Sequence, residues 1–477
     1  MRTALLLDTM SIQEYVFASN KLKENLGASY IVSQIYEPLR EIKNIEIGFI
    51  GGGNALIFFQ NKQIAKESLE LFSTQLLVNS PGIKLAAVID DQFDENSFRK
   101  SLDSLFLQLQ QMKNKFIPNT ILPAHGFTSD CPRTGNSCET YDERNKEFIS
   151  SVVYTKILSS EYSKKQFELK YLSSFTGAGF PDSFEDLGQD KNSDNKIAVV
   201  HIDGNSMGSR FKAINGLDEI RSLSASIEQA VINSFHGLIK TILDDLSKGN
   251  YPESITSKYL QNKTLPIIPI IIGGDDITFV CEGRLGLYFA KVFMEFFQIQ
   301  EASDHKPLSS CAGVAIVKTK YPFYQAYRLA ESLCKNAKRK RIEEKNNSSW
   351  IDYHLSYGGI LGDIKDIRKK HFENDGKALY MRPYSIEQFN ELIDCSMKLA
   401  ETAHSKIKEL REVLSKGDDV ITNLVKHFSF RGDILPSFLG KDYSVSQSPL
   451  FINNETPYLD MIELTEMIFS KNIKENQ

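Results

Sequence analysis

Ile271-Ile272-Gly273-Gly274-Asp275-Asp276-Ile277-Thr278-Phe279-Val280 joins two apolar, β-rich runs through a glycine pair and two adjacent aspartates. β-Branched residues on both sides of a short glycine turn predict a β-hairpin, which places the aspartates at its tip. About seventy residues upstream, the run KIAVVHID (196–203) ends on a third carboxylate, Asp203. Carboxylates gathered at strand ends are suited to holding divalent cations against phosphates, because Mg²⁺ and Mn²⁺ prefer hard oxygen ligands. The expected metal ligands and catalytic groups are therefore Asp203, Asp275 and Asp276.

The pattern around this hairpin occurs twice. Apolar periodicity predicts strands at 2–7, 45–50, 55–60 and 84–89, with helices at 20–42, 62–78 and 96–115. Residues 196–355 repeat that order, with strands at 196–203, 266–272, 277–281, 310–317 and 350–355 and helices at 217–247, 284–299 and 322–342. An aspartate closes the first strand of each copy, Asp8 and Asp203, and a phenylalanine follows, Phe17 and Phe211. A glycine-led turn joins the second and third strands of each, Gly51-Gly52-Gly53-Asn54 and Gly273-Gly274-Asp275-Asp276. The expected fold class is α+β, built on two ferredoxin-like βαββαβ units. The first covers 1–118 and is degenerate, lacking carboxylates in its turn; the second covers 196–358. Residues 119–195 connect them through a Cys131–Cys138 loop and a polar linker. Residues 359–477 read as a helical C-terminal region, in which Ser385 and Gln388 form a capping box and Ile386, Phe389, Ile393, Ala400, Ile407, Leu410 and Leu414 keep a helical period.

A chain of 477 residues with 41% hydrophobic and 25% charged residues fits an ordinary globular protein of several domains. A net charge of −5 argues against non-specific wrapping of long nucleic acid. No apolar run approaches the roughly eighteen residues of a membrane span, so no membrane partner is expected. The six cysteines are spaced as thiols of a reducing cytoplasm rather than as a disulfide framework. Cys131 and Cys138 could ligate zinc with His125, but their six intervening residues exceed the spacing of about two to four in zinc knuckles, so zinc is not expected there.

The second copy holds the pieces that phosphoryl transfer needs. Two divalent cations roughly 4 Å apart offset phosphate charge and activate an attacking hydroxyl. Gly273 and Gly274 remove side chains where phosphate must approach the backbone. Gly204, Asn205 and Ser206 follow Asp203 in a small-residue loop able to cradle phosphates. Lys335 and Lys338, in the helix LAESLCKNAKRKR, are candidates to reach the triphosphate. Each piece alone has a plainer reading: a turn, a loop, a solvated basic helix end. Their order on successive elements favours the chemical one.

HIDGNSMGSRF (201–211), IIGGDDITFV (271–280) and SSCAGVAIVKTKYPFYQAYRLAESLCKNAK (309–338) resemble the second palm of the polymerase-like large subunit of type III CRISPR effector complexes. They are more distantly similar to GGDEF nucleotide cyclases. SIQEYVFASNKLKENLGASYIV (11–32) and FIGGGNALIFF (49–59) resemble the first palm of that subunit, and WIDYHLSYGG (350–359) and MRPYSIEQF (381–389) extend the likeness. The resemblance implies a nucleotidyltransferase that joins ATP into a cyclic oligonucleotide second messenger for antiviral defence, with two Mg²⁺ or Mn²⁺ ions. By position it assigns Asp203, Asp275 and Asp276 to metal and Lys338 to triphosphate. It also implies that Asn20, Lys21 and Ser29 of the first palm contact an acceptor nucleotide. Partners would be nucleoside triphosphates and, by resemblance, CRISPR effector subunits with guide and target RNA; a homo-oligomer is compatible. The absence of a His-Asp dipeptide removes the expectation of the family's nuclease activity. Competing readings are a non-catalytic nucleotide- or RNA-binding palm module, and a cyclase acting on GTP.

Overall fold

The computed structural model describes residues 2–115, 126, 128–175, 177–188, 195–251, 253–356, 362–442 and 450–467. The first unit runs β1 (Arg2–Met10), α1 (Ile12–Phe17), α2 (Leu22–Gln34), β2 (Glu46–Gly51), β3 (Asn54–Phe59), α3 (Lys62–Asn79), β4 (Lys84–Phe93) and α4 (Phe98–Lys113). Its four strands lie in the order β2-β3-β1-β4, the arrangement of a ferredoxin-like βαββαβ unit. The helix expected over 20–42 stops at Gln34, and a 3₁₀ turn at Glu37–Glu41 follows, with Pro38 in its first turn. Proline supplies no backbone donor, so a continuous helix through this point would lose a bond. The short helix α1 was not anticipated.

A hairpin of β5 (Thr140–Asp142) and β6 (Glu147–Ile149) then leads into α5 (Ser151–Tyr171), which packs along α2. The approach is close enough that a Cβ on Gly27 would stand 1.7 Å from the Lys156 carbonyl oxygen. The segment expected as linker contains a helical turn, α6 (Glu185–Gly188), in which Leu187 is fully buried. His125 lies outside the described residues.

The second unit runs β7 (Lys196–Gly204), α7 (Met207–Lys212), α8 (Leu217–Lys248), α9 (Glu253–Asn262), β8 (Ile267–Gly273), β9 (Asp276–Glu282), α10 (Gly286–Gln298), β10 (Ser310–Lys318), α11 (Phe323–Glu343) and β11 (Trp350–Leu355). After α12 (Ile364–His371) and a small β12 (Glu373–Asn374)–β13 (Lys377–Ala378) ladder comes β14 (Tyr384–Ser385). The sheet order β14-β11-β10-β7-β9-β8 contains the same four-strand core as the first unit, extended by parallel β11 and short β14. The chain then becomes helical: α13 (Ile386–Ala400), α14 (His404–Val413), α15 (Asp418–Phe430) and α16 (Tyr458–Thr465). The Ser385–Gln388 capping box forms as the sequence predicts, while the periodic stripe beyond it is shared between α13 and α14.

Alternation along the strands divides the interior into two main apolar cores, and each takes residues from both sheets. Leu5, Leu7, Ala55 and Ile57 share one with Val199, Val280 and the α11 residues Phe323, Tyr327 and Leu333. Ala4, Leu6, Leu56 and Phe58 share the other with Val200, Ile202, Phe279 and the helices α8 and α10. Polar contacts reinforce the junction. Arg221 on α8 donates to the carbonyls of Ile47 and Gly48 in β2, the latter at 2.8 Å. Among the described residues, no helix is long and apolar enough to cross a membrane.

Candidate active site

β7 and β9 are antiparallel neighbours, and their register sets Asp203 directly opposite Asp276. Opposed residues in a ladder project to the same sheet face, so both carboxylates lie on the side covered by α11. The GGDD turn is two residues long, with Gly274 in the left-handed region at φ 61°. No atom lies within 4 Å of where a Cβ would stand on Gly273 or Gly274, which leaves the backbone there open to approach. The carbonyl of Asp275 accepts from the Gly204 N–H at 2.9 Å. This bond, and the 3.0 Å between the Asp275 Cβ and a would-be Gly204 Cβ, bring the turn against the end of β7.

The three carboxylates are neighbours in the fold but do not close into one group. Among the described residues, no three His, Cys, Asp or Glu side chains are arranged to hold a metal ion. Asp203 instead bonds to Lys338 of α11. Asp276 accepts from Gln13 Nε2 at 3.3 Å and has His201 Nδ1 at 3.3 Å on its other oxygen. Like charges at this spacing repel, and each of these two carboxylates sits beside a donor of its own. Burial, then the Asp203 charge, pushes the Asp275 carboxyl up to about 6. Burial also raises Asp276, with His201 opposing. Lys338 is desolvated, which works against its charge, but Asp203 outweighs this and holds its pKa above the ordinary lysine value.

The donor chemistry suits a hard divalent cation. Asp203, Asp275 and Asp276 offer only carboxylate oxygens, and the Asp276 Oδ1 atom is closed off from solvent without a hydrogen-bond partner. Mg²⁺ takes one or two protein carboxylates and completes its shell with water and phosphate, so the chemistry of these residues suits such an ion although they do not form a closed set of three.

The remaining expected contacts divide. Ser206 is exposed, in a left-handed conformation at φ 61°, two residues after Gly204. Asn205 is buried, and both ends of its amide are used internally: Nδ2 donates to Ser309 Oγ at 3.0 Å, and Oδ1 accepts from the Cys311 thiol. It braces the loop. Lys335 points to Glu331 on its own helix and is 69% exposed, away from Asp203. In the first unit, Asn20 accepts from the Tyr324 N–H at 3.3 Å, tying that unit to the start of α11. Lys21 is exposed, and Ser29 is buried within α2.

Three residues that sequence reading passed over lie at these sites. His201 is two residues before Asp203 on the same strand, and period-two alternation alone places it on the same face. Gln13 arrives from α1 of the other unit, a contact across 263 positions with no local signature. Lys113 pairs with Asp8 at 2.7 Å. It is the sixteenth residue of α4, as Lys338 is of α11, so the Asp–Lys pair is duplicated. Helix register would have revealed it.

Two ferredoxin-like sheets, one carrying opposed carboxylates and a lysine at its hairpin end, define a tandem-palm protein. Residues 196–349 are similar to the family whose model is described as Cas10/Cmr2, second palm domain. Chains of the Csm1-Csm4 cassette share the architecture. The structure in complex with cA4 aligns at a TM-score of 0.54 with 13% identity over 98% of this chain and 70% of that one. The complex with AMPPNP gives 0.54 and 14% over 98% and 69%, and the apo cassette 0.53 and 12% over 98% and 70%. No curated protein matches the chain.

Proposed function

We propose that the second palm is a metal-dependent nucleotidyltransferase that joins ATP into a cyclic oligonucleotide second messenger for antiviral defence, within a CRISPR-type effector. The observation that carries this reading is the opposition of Asp203 and Asp276 on one sheet face, with Lys338 reaching across from α11. A sheet that needed only to be stable would not set two carboxylates directly opposite each other, because like charges there are unfavourable. Mg²⁺ or Mn²⁺ held by Asp203, Asp275 and Asp276 would supply charge neutralisation for the triphosphate and the attacking hydroxyl.

The chain's own groups supply the rest. Lys338 is held charged beside Asp203 and would contact phosphate oxygens. Gly273 and Gly274 would let those oxygens approach the backbone, and the exposed Ser206 would offer a hydroxyl. The first palm retains Asp8 and Lys113 but has no carboxylate in its turn, so its role is to hold the acceptor nucleotide, with Lys21 exposed nearby in sequence. Two palms in one chain bring donor and acceptor together without the entropy cost of association. The structural neighbours, solved with AMPPNP and cA4, support a nucleotide in this fold.

The test is incubation of the purified chain with labelled ATP and Mn²⁺, with pyrophosphate release and mass spectrometry of products. Pyrophosphate and a cyclic oligoadenylate, both lost in D275A/D276A, are expected. Silence with all four nucleoside triphosphates, with and without effector subunits and target RNA, would overturn the reading in favour of a binding module.

A further inference from the structure

We infer that Gln13, on the palm whose turn has no carboxylates, is a positioning residue for Asp276 of the other palm, and that the Gly51-Gly52-Gly53-Asn54 turn is shaped to seat it. The inference rests on the proposed metal role of Asp276. Gln13 Nε2 lies 3.3 Å from Asp276 Oδ2. An ionised carboxylate can only accept, so the amide must present its nitrogen, and this bond fixes the rotation of Asp276. The other oxygen, Oδ1, makes no hydrogen bond and has His201 Nδ1 3.3 Å away.

The helix that delivers Gln13 is anchored from both palms. Phe17, at the end of α1, stacks on Tyr327 of α11 with ring centroids 3.6 Å apart. Asn20 then accepts from the Tyr324 N–H, so α1 is fixed to the helix that carries Lys338. At its other end, Ile12 packs over the first-palm turn. A Cβ on Gly53 would stand 2.6 Å from Ile12 Cδ1, whereas one on Gly52 would meet no atom within 4 Å. Gly53 occupies the position that Asp275 holds in the second palm, since both residues precede the one opposite the strand-end aspartate. A side chain there would push on the end of Ile12, the neighbour of Gln13. The missing side chain of one turn is thus the space that Ile12 fills at the start of α1.

The experiment measures Mn²⁺ binding to the full chain by electron paramagnetic resonance, without nucleotide, alongside kcat and KM for ATP. Hydrogen-bond partners of metal ligands are worth roughly 10–100-fold in affinity or activity. Gln13→Leu and Gln13→Glu should weaken Mn²⁺ binding and kcat by about tenfold, leaving KM for ATP and the melting temperature near wild type. Gly53→Ala should reproduce the loss, while Gly52→Ala, which carries similar backbone strain without the clash, should not. Unchanged Mn²⁺ affinity in both Gln13 variants overturns the inference, as does a loss confined to melting temperature. If the wild type releases no pyrophosphate, the proposed activity fails, and the Mn²⁺ comparison still decides the role of Gln13.

Discussion

The two palms share a frame and differ in a turn. In both, an aspartate near the end of the first strand lies opposite the residue that follows the turn: Asp8 faces Asn54, and Asp203 faces Asp276. In both, the next N–H bonds to the second turn residue, Thr9 to Gly53 at 2.8 Å and Gly204 to Asp275 at 2.9 Å. A serine in the left-handed region follows in each, Ser11 and Ser206, and a helix then supplies a lysine to the aspartate. The turns themselves diverge. Gly52 and Gly53 both have positive φ, whereas in the second palm only Gly274 does, so Asp275 occupies a conformation open to any L-residue. The second turn therefore carries its carboxylates where the backbone tolerates any residue. In the first, the glycine at the matching position leaves room for a neighbouring isoleucine.

The largest expected contrast is between the paired aspartates. Asp203→Ala should lower pyrophosphate release by about 10²–10³-fold, the scale of removing transition-state charge stabilisation. Asp8→Ala should cost less than about tenfold, acting through KM for the acceptor. Equal losses would erase the distinction between the palms. The lysines give the next contrast. Lys338→Ala should raise KM for ATP and lower kcat by roughly tenfold, about 1.4 kcal/mol, with Lys113→Ala nearer threefold.

Rebuilding the first turn should not rebuild the site. Gly53→Asp with Asn54→Asp places a side chain at φ 78° against Ile12, and such strain costs about 1–3 kcal/mol. A lower melting temperature and no gain in turnover are expected; increased turnover would show that the palms are interchangeable. A pH-dependent effect concerns the packing of α5 on α2. Burial lowers the pKa of Lys156 to about 8, below that of an unfolded lysine, so between pH 8 and 10 the unfolded chain binds more protons. Stability from this group therefore rises with pH across that window, by about 1 kcal/mol per pH unit at most. Lys156→Met should flatten that rise in denaturant titrations at pH 8 and 9.

Much of this was legible from residues alone. Strand alternation and the two glycine turns predicted both sheets, because a period of two and a hairpin are local properties. Asp203 and Asp276 could be named because they end elements, but their exchange of neighbours could not. Asn205 read as a phosphate contact and is a brace, since its partners Ser309 and Cys311 lie more than a hundred positions away. Lys335 and Lys338 are three residues apart on one helix, and only the angle at which α11 crosses the sheet decides which one meets Asp203. Gln13 was invisible for the same reason: its relevance is created by the docking of one palm on the other.

That docking has a bearing on how this molecule could change over time. Because both apolar interiors draw on both sheets, excising the first unit would strip one wall from each and turn apolar surface of the other toward water. A duplicated copy in such a position is kept by its partner's need for a wall, whatever chemistry it carries.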